Sequence, residues 1–428
     1  MPLTIKSDVA QCEDCAKQRR GTLRFRDKLI SRLEPASTKN RILPMEGIRG
    51  VAATLVFFVH FNSHFTRFCG GGSMLWMAQW MGSMGHTGVD VFFILSGYLI
   101  YGITMKPRFA FWPYFERRVA RLYPTFLLVF AIYLGTSFVL PSRSKLPSSV
   151  PHALLYVAAN LLMLPGIFPI RALITVAWSL SYEWLFYLVL PALILLLRLR
   201  RWQWRFRILF ASLVSVFCVW AGQEQFTAHS RLGMFGAGLV VWELLHRTEV
   251  SAGLPRWGEW VAGGLFVLNL AVIGAYGAYR GSTEVVLARV PAFYVPSLWI
   301  TGGLLVLYAI GYPGVLGRTF SVAPLRWIGN ISYSYYLIHG LTLISLSVIV
   351  GRTIGDVRLG PAWFLVMLVA CYAATLTTAL TLYLCVEWPL SLSSGDRTAH
   401  HAAAKTILAE AMVGGAPPAL EEEEKPHH

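Results

Sequence analysis

The stretch from Arg41 to Phe65 contains two residues, Arg49 and His60, whose types and spacing suit group-transfer chemistry. A guanidinium group binds phosphate oxygens through paired hydrogen bonds, and an imidazole accepts or donates a proton near neutral pH. The two residues lie on nearly the same face of the helix that this apolar run predicts, roughly 16 Å apart along its axis. An arginine inside a membrane costs at least about 2.5–3.5 kcal/mol, which favours a functional reason for its position.

Two carboxylates lie in later apolar runs. Asp90 belongs to "GHTGVDVFFILSGYLI" and Glu183 to "AWSLSYEWLFYL". The direction of the predicted helices places both carboxylates in the outer half of the membrane, at a depth similar to that of His60. A histidine that a carboxylate orients can take a proton from an acceptor hydroxyl, so Asp90 and Glu183 are candidate partners of His60.

Two further arginines, Arg118 and Arg121, follow in the basic and aromatic stretch "KPRFAFWPYFERRVARLYP". We expect them at the inner face, together with Arg49. A donor that carries phosphates would dock on these guanidinium groups, and its reactive end would reach up between the helices towards His60. The pattern therefore indicates acyl transfer across a membrane.

Structural roles compete with this interpretation. An arginine near a helix end can extend its side chain to lipid headgroups, interfacial arginines can merely set topology, and a buried histidine can simply fill space. Asp90, beside Gly88, can cap a helix N-terminus. Glu183 is harder to explain in this way, because a carboxylate inside an apolar run needs a partner. The histidines taken as mainly structural are His64, His86 and His339.

The composition indicates a membrane protein. The chain has 428 residues, of which 55% are hydrophobic and only 14% charged, whereas soluble domains carry about 25% charged residues. Apolar runs near 20 residues recur, and no signal peptide is expected because the first 40 residues are polar and basic. The net charge of +15 sits in the tails and short loops, where it sets topology. Nucleic-acid binding is not expected, since no recognised module accompanies the charge.

The apolar runs predict an all-α fold with about ten transmembrane helices. The segment 152–168 is short and is broken by Asn160, Pro165 and Gly166, so we interpret it as a re-entrant or interfacial hairpin. The basic clusters before residue 42, around Arg118 and at 198–207 are then all cytoplasmic, as are both termini. The candidate runs lie near 46–66, 86–105, 122–140, 152–168, 176–197, 207–222, 231–246, 258–277, 295–313, 330–350 and 361–388.

The predicted domain organisation has three parts. Residues 1–43 form a basic cytoplasmic tail, 44–390 the transmembrane domain, and 391–428 a cytoplasmic tail that is expected to be disordered. A lone C-x-x-C, Cys12 and Cys15, lies in the first tail. A structural zinc site needs four ligands and no second pair follows at a usable spacing, so no metal site is predicted.

Six stretches together resemble the acyltransferase-3 family, the integral-membrane acyltransferases that O-acylate bacterial glycans and some small molecules. They occur in family order over roughly residues 43 to 390. In this chain they read "MEGIRGVAATLVFFVH", "GHTGVDVFFILSGYLI", "ERRVARLYP", "VAWSLSYEWLFYL", "GNISYSYYLIHG" and "YLCVEWPL".

The resemblance assigns roles to individual residues. The R-x10-H pattern of the family falls on Arg49 and His60, and its R-x-x-R pattern on Arg118 and Arg121. The chain departs from the family at Trp388, where Arg is usual, and at the acidic position of the first motif, where Asp is common. The remaining positions that match the family motifs, and that we expect to support the site, are Glu46, Trp178, Ser179 and Ser181.

The resemblance implies an acyl-coenzyme A donor, usually acetyl, used from the cytoplasm, and a histidine that is essential for transfer. We therefore expect an O-acyltransferase of the inner (cytoplasmic) membrane that acts on a hydroxyl of an exopolysaccharide, a lipopolysaccharide or a lipid-linked saccharide. His60 is expected to act as general base, Asp90 and Glu183 as its catalytic partners, and no bound cofactor is expected.

Several alternatives stay open. A proton-coupled transporter also carries ionisable residues inside the membrane, but the internal repeats and paired broken helices of transporters are not visible here. Acylation of a small molecule by a member of the same family is a second alternative. The sequence also leaves open whether an acyl-histidine forms, whether the donor is acetyl or longer, and what the oligomeric state is.

Overall fold

The structure, a computed structural model, describes residues 27–34, 41–139, 141, 144–222, 229–281, 293–355 and 357–392. Cys12 and Cys15 lie outside the described residues, as do most of the two predicted tails. The disorder predicted for the second tail therefore stays a prediction, as do the domain boundaries.

The described part of the chain is helical and contains no β-strand, only isolated bridges. The apolar runs are long enough to form helices in which the backbone N–H and C=O groups hydrogen-bond to one another. This internal hydrogen bonding is the condition for crossing lipid. In chain order the main helices are α1 Leu43–Phe65, α2 Ser73–Gly85, α3 Thr87–Thr104, α4 Phe111–Val139, α5 Val150–Leu161, α6 Ala177–Leu196, α7 Trp204–Gly222, α8 Gly233–Leu245, α9 Trp257–Tyr279, α10 Tyr294–Gly311, α11 Ala323–Asn330, α12 Ser332–Ile354 and α13 Pro361–Leu382. Helix α13 continues as a π-helix over Tyr383–Leu392.

Among the described residues, eight helices are long and apolar enough to cross a membrane, counting α2 with α3 as one and α13 with its π-helical continuation as one. The prediction of an all-α, polytopic membrane protein is therefore confirmed. Every one of the ten predicted spans coincides with a helix. Two of those helices fall outside the eight: α8 has only 13 residues, and α1 carries Arg49 and His60 among its apolar residues. The count of ten crossings stays a prediction.

The segment 152–168, interpreted as a hairpin, forms the short helix α5 and an irregular return. Twelve helical residues rise about 18 Å, too little for a hydrocarbon core of about 30 Å. Asn160 fastens the return, because its side-chain oxygen accepts from the backbone N of Leu173 at 2.7 Å and its amide donates to the carbonyl of Tyr156 at 3.0 Å. Gly166 allows the turn, since its φ of +92° is unfavourable for other residues.

Close helix contacts fix the position of α1. A Cβ atom at Gly50 would lie 2.1 Å from the carbonyl oxygen of Leu325, and one at Gly329 would lie 1.8 Å from that of Glu46. Small residues let membrane helices approach until their backbones touch. Because Arg49 is next to Gly50, this contact with α11 fixes the backbone position from which the Arg49 side chain extends.

The charge pattern and the short helix α5 together generate a topological prediction. Residues 141–175 should stay on the outer side, apart from a shallow dip at α5. Single cysteines introduced by Ser148→Cys and Arg171→Cys, in a background without the native cysteines, should both react with an impermeant maleimide added from outside. Reaction of Arg171→Cys only from the cytoplasm would instead make α5 a true span.

Candidate active site

A cavity among the helices brings five of the ten predicted site residues together. About 930 Å³ of space not filled by protein atoms, open solvent included, lies among its lining residues. Five helices contribute to its wall, α1, α3, α4, α6 and α12. Its polar and ionisable lining residues in the described part of the chain are Arg49, Ser96, Arg118, Arg121, Ser179, Glu183, Tyr187, Ser332, Tyr333 and Tyr336. We call it the arginine cavity.

The arginines have only partly satisfied side chains. Arg49 donates to the hydroxyl of Ser332 at 3.0 Å. Arg118 lies against the rings of Tyr114 and Tyr187, with its guanidinium carbon 5.6 Å from each ring centre, and its Nε is buried without a hydrogen-bond partner among the described residues. Buried N–H groups without partners are costly, so this donor is available to a ligand that enters the cavity.

Glu183 lies in this cavity and is held by two hydrogen bonds. Its Oε1 accepts from the hydroxyl of Ser96 at 2.9 Å and from that of Tyr187. It is also an electrostatic partner of Arg49. The structure therefore groups Glu183 with the arginines, although the depth argument from sequence had assigned it to the level of His60.

Glu387 is a functional candidate that the sequence reasoning missed. It is fully buried on the π-helix, where its Oε2 accepts from the backbone N and the hydroxyl of Ser334 at 3.1 and 2.6 Å. Its Oε1 lies 3.6 Å from a guanidinium nitrogen of Arg121. The motif "YLCVEWPL" carried the signal, and π-helices occur frequently at functional sites. Glu387 thus positions one arginine of the cavity.

His60 lies outside the lining of the arginine cavity and pairs with another histidine. Its ring centre is 4.9 Å from that of His339, in an edge-to-face arrangement. The electrostatic neighbours of His60 are three histidines: His339, His64 and His86. His339, which the sequence reasoning left as structural, is therefore the second residue that it missed; its signal was the end of the motif "GNISYSYYLIHG".

Tyr336 connects the histidine pair to the arginine cavity. It lines the cavity, and its ring centre lies 6.0 Å from that of His339. Its hydroxyl donates to the carbonyl of Val176 at 2.8 Å and lies within hydrogen-bond distance of the Ser179 hydroxyl. His339 is itself oriented, because its Nδ1 lies 2.9 Å from the carbonyl of Tyr335 and its Nε2 is buried without a partner among the described residues. The arginine cavity and the histidine pair thus both lie next to one tyrosine.

Asp90 does not line the arginine cavity. Its carboxylate is buried and accepts from Arg231 and from the hydroxyl of Tyr294, both at 2.8 Å. Arg231 also donates to the carbonyl of His86 at 3.2 Å. These contacts tie α3 to α10 and to the turn before α8, which is a structural role. The sequence reasoning did not single out Arg231, since its partners come from distant parts of the chain.

The supporting residues divide between the cavity and its surroundings. Ser179 lines the cavity, whereas Ser181 donates to the carbonyl of Ala177 within its own helix at 3.1 Å. Trp178 packs edge-to-face on Tyr182, with ring centres 5.9 Å apart. Glu46 accepts from Arg41 at 2.6 Å through both oxygens. Among the described residues, no three His, Cys, Asp or Glu side chains are arranged to hold a metal ion.

Comparison with known proteins gives a family match and several named relatives. The family model described as an acyltransferase domain matches residues 43–384. BcsY of Komagataeibacter xylinus, by name a membrane-bound transacylase, is 29% identical over 70% of this chain and 72% of its own. Acyltransferase MdmB of Streptomyces mycarofaciens is 28% identical over 74% of this chain and 83% of its own.

A third relative is longer than this chain. Peptidoglycan O-acetyltransferase OatA of Listeria monocytogenes is 24% identical over 69% of this chain, and the match spans 48% of that protein. No solved structure matches the chain significantly.

The buried pair of Asp90 and Arg231 generates a stability prediction. Arg231→Leu should lower the free energy of unfolding by about 3–5 kcal/mol, because it leaves a buried carboxylate without its cation. The double variant Asp90→Leu with Arg231→Leu should lose clearly less, since no uncompensated charge remains. Thermal unfolding in detergent, followed by tryptophan fluorescence, measures both.

Arg280→Leu is the control, because Arg280 is exposed at the end of α9, and it should leave unfolding unchanged. If Asp90→Asn instead abolished acyl transfer without any change in thermal unfolding, Asp90 would be catalytic and the structural assignment would be wrong.

Proposed function

The chain belongs to the acyltransferase family, and we propose that it moves an acyl group, acetyl in the simplest case, from cytoplasmic acyl-coenzyme A to a hydroxyl of a glycan. That it is a membrane-bound acyltransferase follows from the family and from its helices. The donor, the acceptor and the catalytic histidine belong to the proposal. A glycan acceptor is supported by the longer relative that is by name a peptidoglycan O-acetyltransferase.

The observation that carries the proposal is the arrangement of the arginine cavity and the histidine pair around Tyr336. Of the described residues that line the cavity, three are arginines and one, Glu183, is a carboxylate. This excess of positive charge suits the phosphates of coenzyme A, which guanidinium groups bind through paired hydrogen bonds. The apolar lining from α3 suits the less polar arm that carries the thioester.

The proposed reaction moves one proton in two transfers, both through His60. His60 takes the proton of the acceptor hydroxyl as its oxygen attacks the carbonyl carbon of the thioester. The carbon–sulfur bond then breaks, an ester is left on the acceptor, and the thiolate of coenzyme A takes up the proton from the imidazolium. We favour this direct transfer over an acyl-histidine, since the attack needs little beyond deprotonation and stabilisation of the oxyanion.

The neighbouring polar groups have supporting roles in this proposal. His339, held by the carbonyl of Tyr335, positions the ring of His60. Glu183 and Glu387 position Arg49 and Arg121 and limit the repulsion among the arginines. Both carboxylates are therefore positioning residues. In this proposal a second histidine, His339, orients His60 in place of the carboxylate that the sequence predicts.

Donor binding should depend on Arg118 and Arg121. Arg118→Ala and Arg121→Ala should each weaken acyl-coenzyme A binding about ten- to hundred-fold, because each removes a charge-assisted hydrogen bond of roughly 1.5–3 kcal/mol. Calorimetric titration of purified protein with acetyl-coenzyme A measures the effect. Arg117→Ala is the matched control, since Arg117 is exposed on the same helix and does not line the cavity. Equal affinity in all three variants would reduce Arg118 and Arg121 to topology charges.

Transfer should depend on His60. His60→Ala should abolish release of acetyl from radiolabelled acetyl-coenzyme A onto membrane glycan, while donor binding in the arginine cavity persists. His64→Ala, one turn further along α1, should retain most activity. Wild-type turnover by purified His60→Ala protein would contradict the mechanism. Proton-coupled solute uptake without acyl release would favour the transporter alternative.

A further inference from the structure

A second cavity lies beyond the histidine pair, on the side that the charge pattern places outside the cell. It shares no lining residue with the arginine cavity. About 1390 Å³ of space not filled by protein atoms, open solvent included, lies among its lining residues. Its described lining residues come from α1, α4, the segment before α5, the return after α5 and α12. They are His64, Tyr133, Thr136, Ser137, Lys145, Arg171, Leu173, Thr175, Leu341, Ile344, Ser345, Val348, Ile349 and Arg352. We call it the outer cavity.

The outer cavity is positively charged. Lys145, Arg171 and Arg352 line it, and no described lining residue is a carboxylate. Burial and the neighbouring charge of Arg171 lower the pKa of Lys145 to about 8. Cations are disfavoured on the outer side of a membrane protein. Three of them around one space, without a carboxylate among the described lining residues, therefore need a reason other than topology.

Lys145 also builds the wall of this cavity. Its ammonium group donates to the carbonyls of Ala172 and Leu173 at 2.8 and 3.0 Å and to the hydroxyl of Thr175 at 2.9 Å. It therefore fastens the return after α5 over the space. Arg171 and Arg352 are exposed, so their guanidinium groups are the ones that an incoming anion can reach.

The remaining lining suits a saccharide. Hydroxyl groups come from Thr136 and Ser137 at the end of α4, from Thr175, and from Ser345 on α12. The hydroxyls of Thr136 and Ser137 already donate to the carbonyl of Tyr133, which leaves them able to accept from sugar hydroxyls. The apolar side chains that α12 contributes, among them Ile344 and Val348, offer a surface for the less polar faces of sugar rings.

The outer cavity adjoins the histidine pair. His64 follows His60 by one helical turn, about 6 Å along α1. Leu341 lies two residues after His339 on α12, and a Cβ atom at the intervening Gly340 would lie 3.3 Å from the hydroxyl of Tyr133. The outer cavity and the histidine pair thus lie on neighbouring turns of α1 and α12.

We propose that the outer cavity binds the acceptor, and that this acceptor is a saccharide with an anionic group, a carboxylate or a phosphate, which Arg171 and Arg352 bind. The inference rests on the proposed function and deepens it by naming the substrate class. Guanidinium groups bind both kinds of anion bidentately, so the shared chemistry is the anion, and the experiment separates its sources.

Binding of a labelled saccharide tests the proposal without any acyl transfer. The full-length protein is placed in phosphatidylcholine nanodiscs, and fluorescence polarisation measures the binding of reducing-end-labelled tetragalacturonate and, separately, of labelled cellotetraose. The charged saccharide should bind at least about ten-fold more tightly. The double variant Arg171→Gln with Arg352→Gln should remove this preference, whereas Arg171→Lys with Arg352→Lys should keep most of it. Arg280→Gln is the control variant, because it removes a positive charge on the outer side that does not line the outer cavity.

Competitors identify the source of the anion. Displacement of tetragalacturonate by inorganic pyrophosphate as well as by free galacturonate supports a site for either anion. Equal affinity for the charged and neutral saccharides, or full preference in the double glutamine variant, overturns the proposal. Loss of tetragalacturonate binding in discs that contain phosphatidylglycerol assigns the cavity to lipid headgroups and also overturns it.

The proposed function is tested separately in the same preparation. Acetyl-coenzyme A binding by the double glutamine variant should equal that of the wild type, because Arg171 and Arg352 lie outside the arginine cavity. A protein that binds the charged saccharide but never transfers acetyl would contradict the function and leave the outer site standing. A protein that transfers acetyl but does not prefer the charged saccharide would contradict the outer site and leave the proposed function standing.

Discussion

A charge buried between helices needs a compensating partner, and two such sets of partners connect the described helices. Asp90 is compensated by Arg231 and Tyr294, and Glu243 by Arg207 and Tyr101. Each group joins helices that are distant in sequence, so removing one partner would leave a buried charge alone. The cost of such a charge, several kcal/mol, makes these contacts anchors of the bundle.

The arginine cavity departs from this rule, and the departure points to chemistry. Three guanidinium groups line it, against the single carboxylate of Glu183 among its described lining residues, with Glu387 behind Arg121. Neighbouring elements hold these groups in place. The close contact of α1 with α11 fixes where the Arg49 side chain begins, and Arg118 lies against two tyrosine rings. Because neighbouring elements already hold these positive groups in place, the protein needs little further ordering when an anion binds.

Much of this arrangement could be predicted from the sequence, because hydrophobic runs and charge clusters fix the position of a residue along the membrane normal. The sequence therefore predicted that Arg49, Arg118 and Arg121 lie together, and all three line one cavity. Glu183, which was predicted at the depth of His60, lines this cavity as well. The lateral neighbours could not be predicted in this way. Whether a carboxylate faces Arg231 or His60 depends on which helices touch and how each is rotated, and an apolar helix in lipid carries no strong periodicity to reveal this.

The excess charge of the arginine cavity has an electrical consequence. Arg49 lies six residues into α1, about 9 Å from its start. In the proposed topology, in which α1 begins at the inner surface, this is roughly a third of a hydrocarbon core of about 30 Å. A phosphate that moves to this depth from a negative cytosol is helped by the membrane potential, by about 0.8 kcal/mol per charge at 100 mV. With the proposed donor, an energised cell would therefore hold acyl-coenzyme A more firmly and release the spent coenzyme more slowly. The enzyme's turnover would in this way be coupled to the energetic state of the cell without any proton being transported.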